Sequence, residues 1–462
     1  MGKKMHIRRR LLKISDPVVF GLIMVLAGCA SFSATDKPLA QWTPPKPVLS
    51  EDLSSNDLLV LLGFSGGGTR AAAFAYGALK ALGDTTVLTE SGKRSLLREV
   101  DVISSVSGGS FTSAYYGLRG EKIFEEFEGR FLRKNVEGAL IGKLFNPVNA
   151  IPLMSDIYGR SDMAAAYYDE NIFGHATFAD LKRPGAPLVV INATDLATGM
   201  RIAFLPPFFE MICADLDRYP LSRAVAASSA VPVLLTPITV KSYAGSCGFE
   251  PPDWLTAAEK DVGEFSRKEE ARGLMSYMDR KKRPWLHLVD GGIADNLGLR
   301  AFYTPFSLQE DAHETFRYLG HPAVRHVLII SVNSFAEKKA KWSLLRDTPG
   351  IADVIQSISS DQIGRYNYDT LDIVRYSYDN WTKQVSTPQR PVTFDFVEVS
   401  FNAVRDAEQR RALNEIGTNF DLGDEDVDLL ITTAGQVLRQ SSEFKSFLKR
   451  TSGSIKPLST DD

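Results

Sequence analysis

Three short stretches of this chain carry residue types that do chemistry together. The first is Gly66-Gly67-Gly68-Thr69-Arg70, the second Ser105-Val106-Ser107-Gly108-Gly109, and the third Asp290-Gly291-Gly292. Glycine lets backbone N–H groups approach a ligand with no Cβ in the way. A strand before the first stretch and a helix after it would add the positive end of a helix dipole, so it reads as an anion cradle. Ser107 offers a hydroxyl nucleophile, and Asp290 a carboxylate able to take its proton. Combined, they suit acyl transfer, with the cradle N–H groups receiving the oxyanion.

Each stretch also has a plainer reading. The glycine run departs from a P-loop, because Gly68 is followed by Thr69-Arg70 instead of Lys-Ser/Thr. It approaches a dinucleotide fingerprint at Gly66, Gly68 and Ala71, but no acidic residue closes a second strand about 20 residues on. It can also be a tight turn with no ligand. Ser107 can simply cap a helix, and Asp-Gly is a frequent turn pair.

The elements that must position these residues are legible nearby. The apolar run Leu58–Leu62 reads as a buried strand, and Ala71, Phe74, Ala78 and Leu82 repeat at helical spacing after the glycines. The β-branched run Val100–Val106 reads as a strand leading into Ser107. Phe111, Ala114, Tyr115 and Leu118 then share one helical face. Ser107 therefore falls on a strand-to-helix turn of the G-x-S-x-G type, with Ser105 in place of the first glycine. Trp285–Asp290 reads as a strand that puts Leu286, Leu288 and Asp290 on one face and His287 on the other. A carboxylate ending such a strand is costly to bury unpaired, so a hydroxyl or N–H partner is expected.

Further strands are read at Leu188–Ala193, His326–Val332 and Val392–Val399. Helices are read at Ala224–Val233 ending at Pro232, at Ile351–Asp372 and at Asp426–Leu438. Alternating strands and helices predict an α/β fold with a largely parallel central sheet flanked by helices on both faces. Ser107 and the cradle should lie at carboxyl ends of strands. The charged stretch Tyr243–Lys282 reads as an insertion with a surface helix, either a lid or a solvated excursion.

The three motifs in this order resemble the patatin-like phospholipase family. Asn192-Ala193-Thr194-Asp195 and Ala227-Ser228-Ser229-Ala230-Val231-Pro232 are also similar to segments of bacterial members. The resemblance runs from Asp57 to about Asn333. It implies the patatin-like three-layer fold and hydrolysis of acyl esters of lipids by a Ser107–Asp290 dyad without histidine. The oxyanion hole would be Gly66, Gly67 and Gly68, with Arg70, Gly109, Gly291 and Gly292 in support. It implies no cofactor and no metal. Ala71 and Ser105 depart from the family pattern, both by small residues. Arg70 either orders the glycine loop or lies on the surface of the first helical turn. Two other functions are weighed against this one. A Ser-His-Asp esterase would need His313, His321 or His326, and a non-catalytic lipoprotein would use the pocket only to bind lipid or a partner.

The N-terminal stretch is a targeting segment. Six basic residues from Lys3 to Lys13 precede the apolar run Val18–Leu26, which is too short to span a bilayer, and Leu26-Ala27-Gly28-Cys29 follows. That ending resembles a bacterial lipobox, in which Cys29 carries the lipid, and Ala30 matches the outer-membrane default. The expected organisation is a signal peptide at 1–28, a Pro-containing lipidated tether at 29–56, a catalytic domain at 57–335 and a mainly helical extension at 336–462. Without residues 1–30 the chain has 47 basic and 55 acidic residues, a balance of −8. That argues against nucleic acid as a partner and for membrane attachment through lipid and not a basic surface. Protein partners are not indicated. Cys213 and Cys247 either pair or remain two separate thiols.

Overall fold

The computed structural model describes residues 36–44 and 55–456, apart from 147, 149–152, 154, 156–157, 233, 264, 310–311, 338–345 and 347. The expected signal peptide, Cys29 and most of the expected tether lie outside the described residues. The described residues from Asp36 onward form one compact unit.

The chain enters the sheet with β1 (Leu58–Phe64) and leaves it through the glycines into α1 (Gly68–Gly83). A small hairpin, β2 (Thr85–Thr89) and β3 (Gly92–Ser95), leads to β4 (Val100–Val106), and Ser107 joins β4 to α2 (Gly108–Arg119). Next come β5 (Leu188–Asp195), β6 (Arg201–Phe204), α3 (Leu221–Ser228) and β7 (Ile238–Lys241). Helices α4 (Asp253–Lys260) and α5 (Phe265–Met275) precede β8 (Trp285–Asp290). The last elements of the sheet and its covering are β9 (His326–Asn333), α6 (Ile351–Val385), β10 (Thr393–Ser400) and α7 (Asp424–Gln440).

The main sheet has eight strands in the order β10-β9-β1-β4-β5-β8-β7, with β6 also paired to β5. From β10 to β5 every neighbour is parallel. The sheet is therefore mostly parallel, but β6 and β8 run antiparallel to β5, and β7 antiparallel to β8. The strand carrying Asp290 thus runs against the direction expected of it. The strand at Thr393–Ser400 extends the same sheet beyond β9, so the C-terminal segment contributes an edge strand as well as helices.

Alternation along β1 builds two cores. Leu58, Val60, Leu62 and Phe64 pack on the side of α1, α2 and α7. Leu59 and Leu61 join Leu371, Val374, Tyr378 and Trp381 of α6 on the other. A strand buried on both faces is the signature of a three-layer α/β fold. α6 is longer than the Ile351–Asp372 helix expected, since Tyr378, Trp381 and Val385 continue its apolar face.

Two other expectations change. α3 stops at Ser228, four residues before Pro232. The released carbonyls of Ser228 and Ala230 then accept the N–H groups of Gly291 and Asp290 at 3.1 and 3.0 Å. The 243–282 insertion carries two helices and is not merely solvated: Leu255, Ala258, Ala271 and Tyr277 are buried. Tyr277 donates to the Asp195 carboxylate at 2.7 Å, at the end of β5.

Cys213 and Cys247 are joined in a disulfide with their Cα atoms 5.5 Å apart. It closes a loop 34 residues apart in sequence. A short N-terminal strap lies on this loop, with the Leu39 N–H on the Cys213 carbonyl at 2.8 Å and that of Trp42 on the Cys247 carbonyl at 2.9 Å. Replacing both cysteines by serine is expected to lower unfolding stability by about 3–4 kcal/mol through lost loop closure, measured by denaturant titration under oxidising conditions.

Candidate active site

Because β1 and β4 are parallel neighbours, the glycine turn and the serine turn leave the sheet side by side at its carboxyl end. They are in intimate contact. A Cβ on Gly108 would stand 1.9 Å from the Gly68 carbonyl oxygen, so only glycine permits this approach. Gly67 and Gly68 adopt φ of 142° and 62°, conformations unfavourable to residues with side chains. A Cβ on Gly109 would stand 2.7 Å from the Ser65 carbonyl oxygen, and one on Gly291 2.2 Å from that of Asn192.

Ser107 has φ 50° and ψ −122°, and its side chain makes no helix-capping bond. That removes the plain reading of a capping serine. A non-glycine residue held there stores about 1–3 kcal/mol, which the surroundings must impose. The restraint is visible: the Ser107 N–H donates to Ser228 Oγ at 2.8 Å, and Ser228 Oγ donates to the Asn192 carbonyl at 2.6 Å. Ser110 Oγ completes the cluster, 3.0 Å from Ser228 Oγ. The helix α3 thus supplies the serine that fixes the elbow. Sequence reasoning included Ser228 in a segment but gave it no role. Its signal was the hydroxyl pair Ser228-Ser229 in a run, Ala224–Val231, otherwise made of alanine and valine.

Antiparallel β8 brings Asp290 opposite Ala193, whose neighbour Asn192 pairs with Val106. The carboxyl is buried, accepts the Gly292 N–H at 2.8 Å and lies within the influence of the Ser107 hydroxyl. Burial pushes its pKa up to about 6, against the lowering effect of these two partners. Among the described residues no charged neighbour contributes to the shift. A carboxylate with this pKa is a competent base near neutral pH. Its backbone is held by Thr194 Oγ1, which donates to the Asp290 carbonyl at 2.9 Å.

The cradle divides its donors. Gly66, expected among the oxyanion donors, gives its N–H to the Asn296 carbonyl at 3.0 Å. Thr69 donates to the Asn419 carbonyl at 2.9 Å. Among the described residues the N–H groups of Gly67 and Gly68 have no hydrogen-bond partner, and they stand at the N-terminus of α1. Arg70 is not on the surface. It is buried, with Nε on the Ser334 carbonyl at 3.0 Å and Nη1 on that of Ile416 at 2.7 Å. Burial without a carboxylate brings its pKa down to about 10. It ties the cradle to the loop after β9 and to a C-terminal turn. Asn296, Ser334, Ile416 and Asn419 carry no sequence signal, because they act through backbone groups or from distant segments.

Histidines are engaged elsewhere. His287 is exposed on the face opposite Asp290, 3.1 Å from Thr239 Oγ1. His321 is buried 3.4 Å from Asp101 at the opposite end of β4, about 20 Å of strand from Ser107. His326 opens β9 beside Thr393. His313 is exposed on the helix Ala312–Leu319.

The serine turn thus stands at the carboxyl end of the central strand of a three-layer α/β fold. The family model described as patatin-like phospholipase matches residues 62–303, just over half of the sequence, and the chain belongs to that family. It is thereby a lipid ester hydrolase. No curated protein matches the sequence. The chain is similar to human GIVD cytosolic phospholipase A2 at 13% identity and a TM-score of 0.41, over 91% of this chain and 69% of that one. The same human enzyme in complex with methyl gamma-linolenyl fluorophosphonate gives 12% identity and a TM-score of 0.40, over 87% of this chain and 61% of that one.

Proposed function

We propose that the protein cleaves acyl esters of phospholipids through a Ser107–Asp290 dyad, with the N–H groups of Gly67 and Gly68 as the oxyanion hole. The observation that carries this reading is the desolvated Asp290 carboxyl, with a pKa of about 6, beside a serine held on a strained turn. Ser107 Oγ attacks the ester carbonyl as its proton passes to Asp290. The carbonyl oxygen becomes an oxyanion facing two N–H groups, each worth about 3 kcal/mol at the transition state. The helix dipole of α1 adds to this field. Collapse expels the lysophospholipid alkoxide, which takes the proton back from Asp290. Water, deprotonated by Asp290, then attacks the acyl-serine, and the fatty acid leaves as Ser107 recovers its proton. Release of fatty acid from phosphatidylglycerol vesicles tests this reading, and absence of release from every phospholipid offered would contradict it.

The same proposal places the enzyme in a bacterial cell envelope, held to the outer membrane by lipid on Cys29. Its support is the sequence of basic, apolar and small residues ending in Cys29. Cys29→Ser is expected to lose metabolic labelling by palmitate and to shift the protein out of the membrane fraction or block its processing. Wild-type protein that takes up no label would contradict the anchor.

A further inference from the structure

The negative balance of the chain conceals a local basic surface. Arg280, Lys281, Lys282 and Arg283 are consecutive and are followed by Pro284 and Trp285. Arg283 turns inward, 3.8 Å from Asp195 and over the Tyr277 ring. Arg280, Lys281 and Lys282 are exposed. Asp279 is the acid among them, 3.2 Å from Lys282 Nζ. Trp285 is 46% exposed, and Lys241 Nζ lies 5.7 Å from its ring centroid. An exposed tryptophan beside cations is the composition of a membrane-interface contact.

Strand register puts this surface at the catalytic end of the sheet. Asp195, the last residue of β5, pairs with Leu288 of antiparallel β8. Residues 285–287 therefore project beyond β5 by about 10 Å, at the end where Ser107 also leaves the sheet. Leu196 sits there too, 58% exposed, its N–H on the His287 carbonyl at 2.9 Å.

The chain's exit point lies beside it. The Asp36 carboxylate accepts the Lys241 N–H at 2.8 Å, and the Tyr243 hydroxyl donates to the Asp36 carbonyl at 2.9 Å. Asp36 is the seventh residue after Cys29, a reach of at most about 25 Å. An anchor on Cys29 would thus confine the protein close to the membrane with this edge nearest the exit point.

We infer that the edge formed by Arg280, Lys281, Lys282, Trp285 and Lys241 seats on an anionic phospholipid bilayer. It turns the carboxyl end of the sheet, and with it Ser107, toward the lipid, and so deepens the lipid-hydrolase reading on which it rests. Complementary charge and the tether exit select a bilayer over an acidic protein. Cations near such a surface draw on the negative potential of its head groups, and the tryptophan adds apolar contact that salt does not screen.

The test is co-sedimentation of the 31–462 chain, which contains the whole compact unit, with vesicles of equal parts phosphatidylcholine and phosphatidylglycerol, and with vesicles of phosphatidylcholine alone. The chain carries Ser107→Ala so that lipid is not consumed and binding is read independently of catalysis. Binding is expected to favour the anionic vesicles and to weaken with salt. Combining Arg280→Gln, Lys281→Gln and Lys282→Gln should reduce it about a hundredfold, and Trp285→Ala about tenfold. In the Ser107 background, the triple variant should hydrolyse a soluble short-chain ester as fast as the unsubstituted chain. If the triple variant fails to fold, Lys281→Glu alone should still weaken binding several-fold. Equal binding to both vesicles, or anionic binding unchanged in a folded variant, overturns the inference and leaves an acidic protein as the partner of this surface. Vesicle binding without hydrolysis of any ester by the Ser107 enzyme would instead overturn the hydrolase reading and leave the docking surface standing.

Discussion

Ser107→Ala is expected to reduce ester hydrolysis by about four orders of magnitude or more, the usual consequence of removing a nucleophile that acts as a unit with its base. The fold should survive. The Ser107 N–H on Ser228 Oγ does not depend on the side chain, and alanine fills nearly the same space. Alanine also inherits the strained backbone, so its melting temperature should stay close to that of the wild type. Glycine tolerates φ 50° and ψ −122° without penalty, so Ser107→Gly should be equally inactive yet more stable by about 1 kcal/mol. Activity retained in either variant would remove Ser107 from the chemistry. Thermal melts with hydrolysis rates on the same preparations check both parts.

Asp290→Asn should be almost as damaging to activity, by about four orders of magnitude, while making the protein more stable. The sign follows from the carboxyl's pKa, about 6 in the fold against an ordinary value of 3.8. Below the lower value the group is protonated in both states, and stability is at its highest. Between the two the unfolded chain releases the proton first, so stability falls as pH rises, and above about 6 the loss is complete. The difference corresponds to at most about 3 kcal/mol at neutral pH. Asparagine stays neutral and escapes this loss. The same ionisation should appear in catalysis, with kcat/KM rising with pH through an apparent pKa of about 6 to a plateau. Denaturant titration of both proteins across this window, alongside the pH–rate profile, measures the trade directly. An Asp290→Asn protein less stable than wild type would mean that the carboxylate is structural.

The elements nearest the chemistry were the easiest to read. A glycine run after an apolar strand, and a serine after a β-branched one, state their turns locally, and the parallel pairing of β1 and β4 follows from the helix between them. The direction of β8 was not legible. Period-two alternation in Trp285–Asp290 tells which side chains share a face but carries no sign for the strand's orientation. Its reversal decides how Asp290 reaches Ser107, because it hands the Asp290 and Gly291 N–H groups to the frayed end of α3. That end was misplaced because the small residues of 224–233 suit a helix throughout. Gly66 could not be told from Gly67 and Gly68, since the carbonyl that takes its N–H belongs to Asn296, far along the chain. Arg70 was undecided for the same reason: its carbonyl partners come from residues 334 and 416. Backbone acceptors on irregular segments leave no pattern of residue types. The net negative charge likewise hid the basic run at 280–283, because an average over the chain says nothing about its distribution.

Covalent trapping tests the role of Ser107 as the nucleophile most directly. The 31–462 chain is treated with a fluorophosphonate, digested, and the modified residue located by mass spectrometry. The phosphonyl group should be found on Ser107 and nowhere else, with labelling lost in Ser107→Ala and severely slowed in Asp290→Asn. A phosphonyl group on any other residue, or undiminished labelling of the Ser107→Ala protein, would contradict it.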